Sequence, residues 1–179
     1  MVSQIVERIR QKDQRAMSQL YQMYIEELSS VCYRYVPNND DAKDVLQNSF
    51  VKIFTSIPTL EYRGEEQFKG WLIRIVANEA LIFLRNKKKL IYVENSETAD
   101  EIDEEYPDTE RVSADELHQL ISELPDGYRT VLNLYVFENF SHRQIAELLG
   151  IKESTSASQL HYAKQWLARR IKQLTSEKE

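Results

Sequence analysis

Two small bundles of α-helix joined by an acidic connector are the fold that this 179-residue chain predicts, and three observations carry it. Its apolar residues recur every three or four positions, the period of an amphipathic helix, and do not alternate as strand residues would. Only 4 Gly and 4 Pro punctuate the chain, so its turns are few and its elements long. Between residues 91 and 110 lie nine acidic side chains and no basic one, a composition with too little apolar surface to offset the entropy of ordering. The chain therefore reads as all-α, with bundles over 1–90 and 112–179 and a flexible linker over 91–111.

Composition closes off several classes of function. At 42% hydrophobic and 29% charged, the chain has apolar mass for real cores. Cys32 is the one cysteine, which excludes an internal disulfide or a Cys-rich zinc site, and His118, His142 and His161 share no ligand spacing. No metal or cofactor is expected. No apolar run approaches the roughly 18 residues of a membrane span, and no signal-peptide pattern opens the chain, so a cytoplasmic protein without membrane insertion is expected. The net charge of −6 conceals an asymmetry: outside the acidic run, the 23 basic residues outnumber the acidic ones by three. Arg85, Lys87, Lys88 and Lys89 close one helix, and Lys164, Arg169, Arg170 and Lys172 stud another, a distribution suited to nucleic acid.

Taken in order, residues 1–36 carry Ile5, Ile9, Ala16, Leu20, Met23, Tyr24, Leu28, Val31 and Tyr35 at helical intervals. They make one or two helices that end before Pro37, because a residue preceding proline is pushed out of the α region. Asn38 to Asp41 offer a turn and an N-cap. The helix 41–57 points Val45, Leu46, Phe50, Ile53, Phe54 and Ile57 inward and Lys43, Asp44, Gln47, Asn48, Val51 and Lys52 outward, and Pro58 ends it. A polar loop with Tyr62, Arg63 and Gly64 leads to a long helix, about 68–89, whose mostly apolar circumference makes it the centre of its bundle. One polar line, Arg74, Asn78 and Arg85 with Lys69 near its start, is left to face a ligand. Beyond the linker, 114–124 and 128–137 read as helices on either side of the turn Pro125-Asp126-Gly127.

The last segment, 140–171, has the strongest local signals. Ser141 and Gln144 form a capping box ahead of Ile145, Ala146, Leu148 and Leu149, and Gly150 supplies a permissive helix end. A second helix then starts at Glu153, Ser154 and Thr155 and keeps Leu160, Ala163, Leu167, Ile171 and Leu174 on one side. Its first turns are expected to point Ser154, Thr155, Ser158 and Gln159 outward, with Lys152 just before them. Two helices about a short Gly turn fit a helix-turn-helix whose polar tip enters a major groove, where hydroxyls and amides meet base edges. A helical hairpin in any bundle would show the same spacing, so the rest of the chain must decide.

Three segments taken together settle that choice: DAKDVLQNSFVKIF at 41–54, FKGWLIRIVANEALIFLRNKKK at 68–89, and LPDGYRTVLNLYVFENFSHRQIAELLGIKESTSASQLHYAKQWL at 124–167. In this order, with a short acidic linker between, they resemble the sigma factors of the extracytoplasmic-function (ECF) group, promoter-recognition subunits of bacterial RNA polymerase. The resemblance implies a non-enzymatic transcription initiation factor whose partners are core RNA polymerase, promoter DNA and an anti-sigma protein. It implies docking on the polymerase clamp through Asp44, Gln47, Asn48 and Val51, although a plainly solvated face reads the same way. It implies reading and opening of the −10 element through Tyr62, Arg63, Lys69, Arg74 and Asn78, with Trp71 either a stacking wedge or core, and Lys87 to Lys89 on phosphates. It implies −35 recognition through Ser154, Thr155, Ser158, Gln159 and Tyr162, with Arg143, Lys152 and Lys164 on the backbone. The chain departs from the family pattern at Ala157 and Tyr162, where cations are common, at Ile82, where Asp is frequent, and at Gln144, where Glu is usual. A stand-alone dimeric helix-turn-helix regulator is the alternative, and no nucleotide loop, metal set or catalytic triad favours an enzyme.

Overall fold

The structure, a computed structural model, describes residues 1–87 and 111–176, and every helix named below falls within them. The linker expected over 91–111, together with Lys88 and Lys89, lies outside the described residues but for Arg111. Two compact units divide between Lys87 and Lys88. Among the described residues all regular structure is helical, and no helix is long and apolar enough to cross a membrane.

The first unit holds α1 (Val2–Arg10), α2 (Gln14–Tyr35), α3 (Asn39–Ser56) and α4 (Glu65–Asn86). The break between α1 and α2 is local chemistry. Lys12 takes a left-handed φ of 63°, and the Asp13 carboxylate then caps α2 by accepting from the N–H groups of Arg15 and Ala16 while pairing with Arg8 at 2.8 Å. Asn38 caps α3 in the same way, accepting from Asp40 and Asp41. The long helix α4 begins three residues earlier than its apolar pattern indicates, because Gly64 at φ 123° lets the chain turn into it and Glu65 and Glu66 suit its positive N-terminal end. Its Phe68, Leu72, Ile75, Val76, Ala80, Leu81 and Leu84 are buried against α2 and α3, which makes it the centre of the unit as its sequence predicts.

The second unit holds α5 (Ala114–Glu123), α6 (Asp126–Leu132), α7 (His142–Leu149) and α8 (Glu153–Ser176). The helix expected over 128–137 is interrupted: after Leu132 the chain widens into a π-helical turn, Asn133–Phe137, from which Tyr135, Val136 and Phe137 project outward. Arg129 pins the α5–α6 turn. It is only 3% exposed and donates to the carbonyls of Leu124 at 2.5 Å and Ser122 at 3.3 Å, and it is paired with Asp126. Burial works against its charge and the Asp126 carboxylate works for it.

Two consequences can be measured. Arg129→Ala strands the buried Leu124 carbonyl, so it should cost the second unit about 3 kcal/mol in urea unfolding followed by Trp166 fluorescence in a Trp71→Phe background. Burial pushes the Cys32 thiol up to about 12, so the native protein at pH 8 should not react with an aromatic disulfide, and unfolding should release one thiol.

Candidate nucleic-acid interface

The turn between α7 and α8 is built as its residues require. Ser141 Oγ accepts the N–H of Gln144, and Gln144 Oε1 accepts the N–H of Ser141 at 2.9 Å, closing the capping box. Gly150 has φ 69°, and its N–H and that of Ile151 both reach the Ala146 carbonyl, a helix end for which a residue without Cβ is suited. From there α8 runs with one face inward, where Ser156, Leu160, Ala163 and Ile171 are buried.

That inward face corrects the expected reader set. Gln159 is 0% exposed and Thr155 8%, so both point into the unit rather than outward. Successive residues turn by about 100°, and positions 155 and 159 fall on the side that packs on the rest of the unit, polar though they are. Tyr162 is half-buried, its ring stacked on Tyr128 of α6 with centroids 6.0 Å apart. The outward line is Ser154, Ala157, Ser158, His161 and Lys164, at helical spacings of three and four. His161 belongs to this line although the sequence reading passed over it; its distance of seven from Ser154 was the available signal. Its Nε2 is 2.9 Å from the Gln165 side-chain amide nitrogen one turn on. Lys152 and Arg143 are exposed at the same end, Arg143 beside Glu147 at 3.4 Å.

In the first unit, Tyr62, Arg63 and Arg74 meet at a cleft of about 380 Å³ that is also lined by Leu60, Glu61, Gln67, Phe68, Gly70 and Trp71. Its wall is aromatic: Phe68 lies 5.8 Å from Tyr62 and stacks on Trp71 at 5.6 Å, ring centre to ring centre. Trp71 is thus half-buried packing and cleft wall at once. Arg63 is paired with Glu61 at 2.7 Å. Lys69 and Asn78 are exposed but do not line the cleft; Lys69 pairs instead with Glu27 of α2 at 2.7 Å. Arg74, Asn78, Ile82 and Arg85 follow one another along the outer side of α4, so Ile82 is a surface position and not core. Lys87 is bound to Asp41 at 2.5 Å.

On α3, Asp44, Gln47, Asn48 and Val51 form one exposed stripe, with Val51 59% exposed. An apolar side chain that open to water within a polar face is the kind of anchor a protein partner covers.

One unit carries a helix-turn-helix with a polar outer line and the other an aromatic cleft with Arg63 and Arg74 in its lining, a combination suited to a two-module DNA-binding protein. Residues 20–90 match the family described as Sigma-70 region 2, and residues 114–167 match Sigma-70, region 4. The RNA polymerase sigma factor SigV of Bacillus subtilis is 34% identical over 137 residues, 74% of this chain and 77% of that protein. The ECF RNA polymerase sigma-E factor of Haemophilus influenzae is 31% identical over 183 residues, 95% of each. Among solved structures, CnrH in complex with the cytosolic domain of CnrY shares the fold, with a TM-score of 0.50 and 18% identity over 93% of this chain and 94% of that one. The chain belongs to the ECF sigma factors, which direct RNA polymerase in starting transcription and bind the core enzyme and promoter DNA.

The burial pattern of α8 makes a direct prediction. Gln159→Ala removes a buried amide and should lower the stability of the second unit by about 1–2 kcal/mol in chemical unfolding. Ser158→Ala and His161→Ala, on the outer line, should leave the same transition within about 0.5 kcal/mol.

Proposed function

We propose that residues 1–90 recognise and hold open the −10 element and dock on the polymerase clamp, that residues 112–179 read the −35 element, and that residues 91–111 tether the two. The observation that carries this reading is the cleft between Tyr62, Phe68, Trp71 and Arg74. A volume of about 380 Å³ with aromatic walls suits a single nucleobase turned out of the duplex, and each such stacking contributes about 1–3 kcal/mol. Arg74 and Arg63 supply cations for the phosphates, with Asn78 one turn further along α4 for a base edge or sugar. Lys69 can join them, because its exposed pair with Glu27 is worth at most about 1 kcal/mol and is readily exchanged for a phosphate.

In the second unit, Ser154, Ser158 and His161 are the groove-facing side chains of this reading, with Lys152, Arg143 and Lys164 on the backbone. Thr155 and Gln159 support the helix from within, and Tyr162, half-buried, packs on Tyr128. The stripe Asp44, Gln47, Asn48 and Val51 meets the polymerase clamp. The protein performs no chemistry: it spends binding energy on the melted strand, and the polymerase makes the bonds. It works in the cytoplasm, held in check by an anti-sigma partner; in the solved relative, CnrH is bound by the cytosolic domain of CnrY.

Run-off transcription with core polymerase on genomic fragments tests the scheme. Trp71→Ala and Arg74→Ala should each lower open-complex formation about tenfold, read by permanganate reactivity of unpaired thymines, with little change in binding to the core enzyme. Lys152→Ala should weaken promoter binding across sequences and reduce its salt slope by about one, whereas Ser158→Ala should shift base preference. Full melting by the Trp71 and Arg74 variants would overturn the cleft assignment.

A further inference from the structure

One polar contact in the second unit belongs neither to the outer line of α8 nor to the helix caps. Ser156, on the first turns of α8, is 0% exposed, and its Oγ lies 3.0 Å from Nδ1 of His142. His142 is the first residue of α7, set in place by the Ser141–Gln144 capping box, and its ring is stacked on Tyr135 with centroids 4.6 Å apart and planes 22° apart. Tyr135 reaches it from the π-helical turn Asn133–Phe137. Three segments thus converge on one imidazole.

We propose that His142 is a positioning residue that, through Ser156, sets the rotation and axial position of α8 and so determines which bases its outer side chains meet. This rests on the reading of α8 as the −35 reader. Ser156 lies two residues from both Ser154 and Ser158, about 200° round the helix, so it is the inward counterpart of the two outward hydroxyls. At a side-chain radius of roughly 5 Å, a 20° roll of α8 would displace each hydroxyl by nearly 2 Å. That is more than a hydrogen bond of 2.7–3.2 Å tolerates, whether at His142 or at a base edge. The buried apolar residues of the α7 and α8 pair, Ile145, Leu149, Leu160 and Ala163, make non-directional contacts that resist separation more than rolling. The buried hydroxyl has no water to turn to, so keeping its bond to His142 means keeping the register. Ser156 can donate to a bare Nδ1 or accept from a protonated one, so the latch does not depend on a particular tautomer.

The test loads the full-length chain on core bacterial RNA polymerase and selects from duplexes randomised over the upstream promoter element. It compares the affinity ratio of enriched to scrambled element for wild type, His142→Phe, His142→Asn and Ser156→Ala. His142→Phe keeps a flat ring for Tyr135 but loses the nitrogen; His142→Asn keeps a hydrogen-bonding atom near the place of Nδ1. Expected is a loss of about tenfold in the ratio for His142→Phe and for Ser156→Ala, no further loss when they are combined, and recovery to within about threefold for His142→Asn. Affinity for the scrambled duplex should not change, and thermal melting should shift by a few degrees at most. An unchanged ratio in His142→Phe and Ser156→Ala overturns the proposal, as does a ratio that falls only in step with scrambled-duplex affinity and melting. Should His142→Phe fail to fold, Ser156→Ala decides alone. A wild type that enriches no upstream element overturns the −35 reading itself, a different outcome from wild-type selection that the variants leave intact.

Discussion

In the second unit one helix is both wall and outer surface, and in the proposed reading that surface is the one that meets DNA. Ser156, Gln159, Leu160 and Ala163 of α8 are buried, while Ser154, Ala157, Ser158, His161 and Lys164 are left outside. A helix turns about 100° per residue, so a side chain given to the core is lost to the surface, and the division between the two is set by packing and not by polarity. The rest of the unit serves that division. Arg129 fixes the α5–α6 turn, the π-helical turn brings Tyr135 over His142, and the caps at Ser141 and Gly150 set where α7 starts and stops.

The first unit obeys the same rule with a different result. Its central helix α4 is so thoroughly buried that one side chain line and the beginning of the helix are all that face outward. The loop 60–63 closes against that beginning, and the aromatic residues that would otherwise complete a core become the wall of an open cleft. In the same unit several cations are held by carboxylates: Arg63 by Glu61, Lys69 by Glu27 of α2, and Lys52 of α3 by Glu79 of α4. Such pairs at the surface contribute little to stability and exchange readily for other partners.

Much of this was legible in the linear chain because it is governed by neighbours within one helical turn. The capping box at Ser141 and Gln144, the left-handed Gly150, the stop at Pro37 and the outward stripe Asp44, Gln47, Asn48 and Val51 all follow from spacing. The cleft was half legible. Tyr62, Arg63 and Arg74 could be named from the loop and the polar line, but Phe68 and Glu61 join them through contacts between a loop and a helix. Thr155 and Gln159 misled because a buried amide or hydroxyl has the same one-letter code as an exposed one. His161 escaped because its outward direction is defined only once Leu160 and Ala163 are known to point in.

The residues alone determined two helical units, where most helices begin and end, and, through three segments in order, membership of the ECF sigma factors. Those are matters of local dihedral preference, period and composition, which a chain carries wherever it is placed. Tertiary structure decided which polar residues of α8 face inward, what completes the cleft beside Trp71, and that His142 meets Ser156 fourteen positions away. The physical reason is that burial and hydrogen-bond partnership depend on the elements packed alongside, and no spacing within one helix encodes its neighbours.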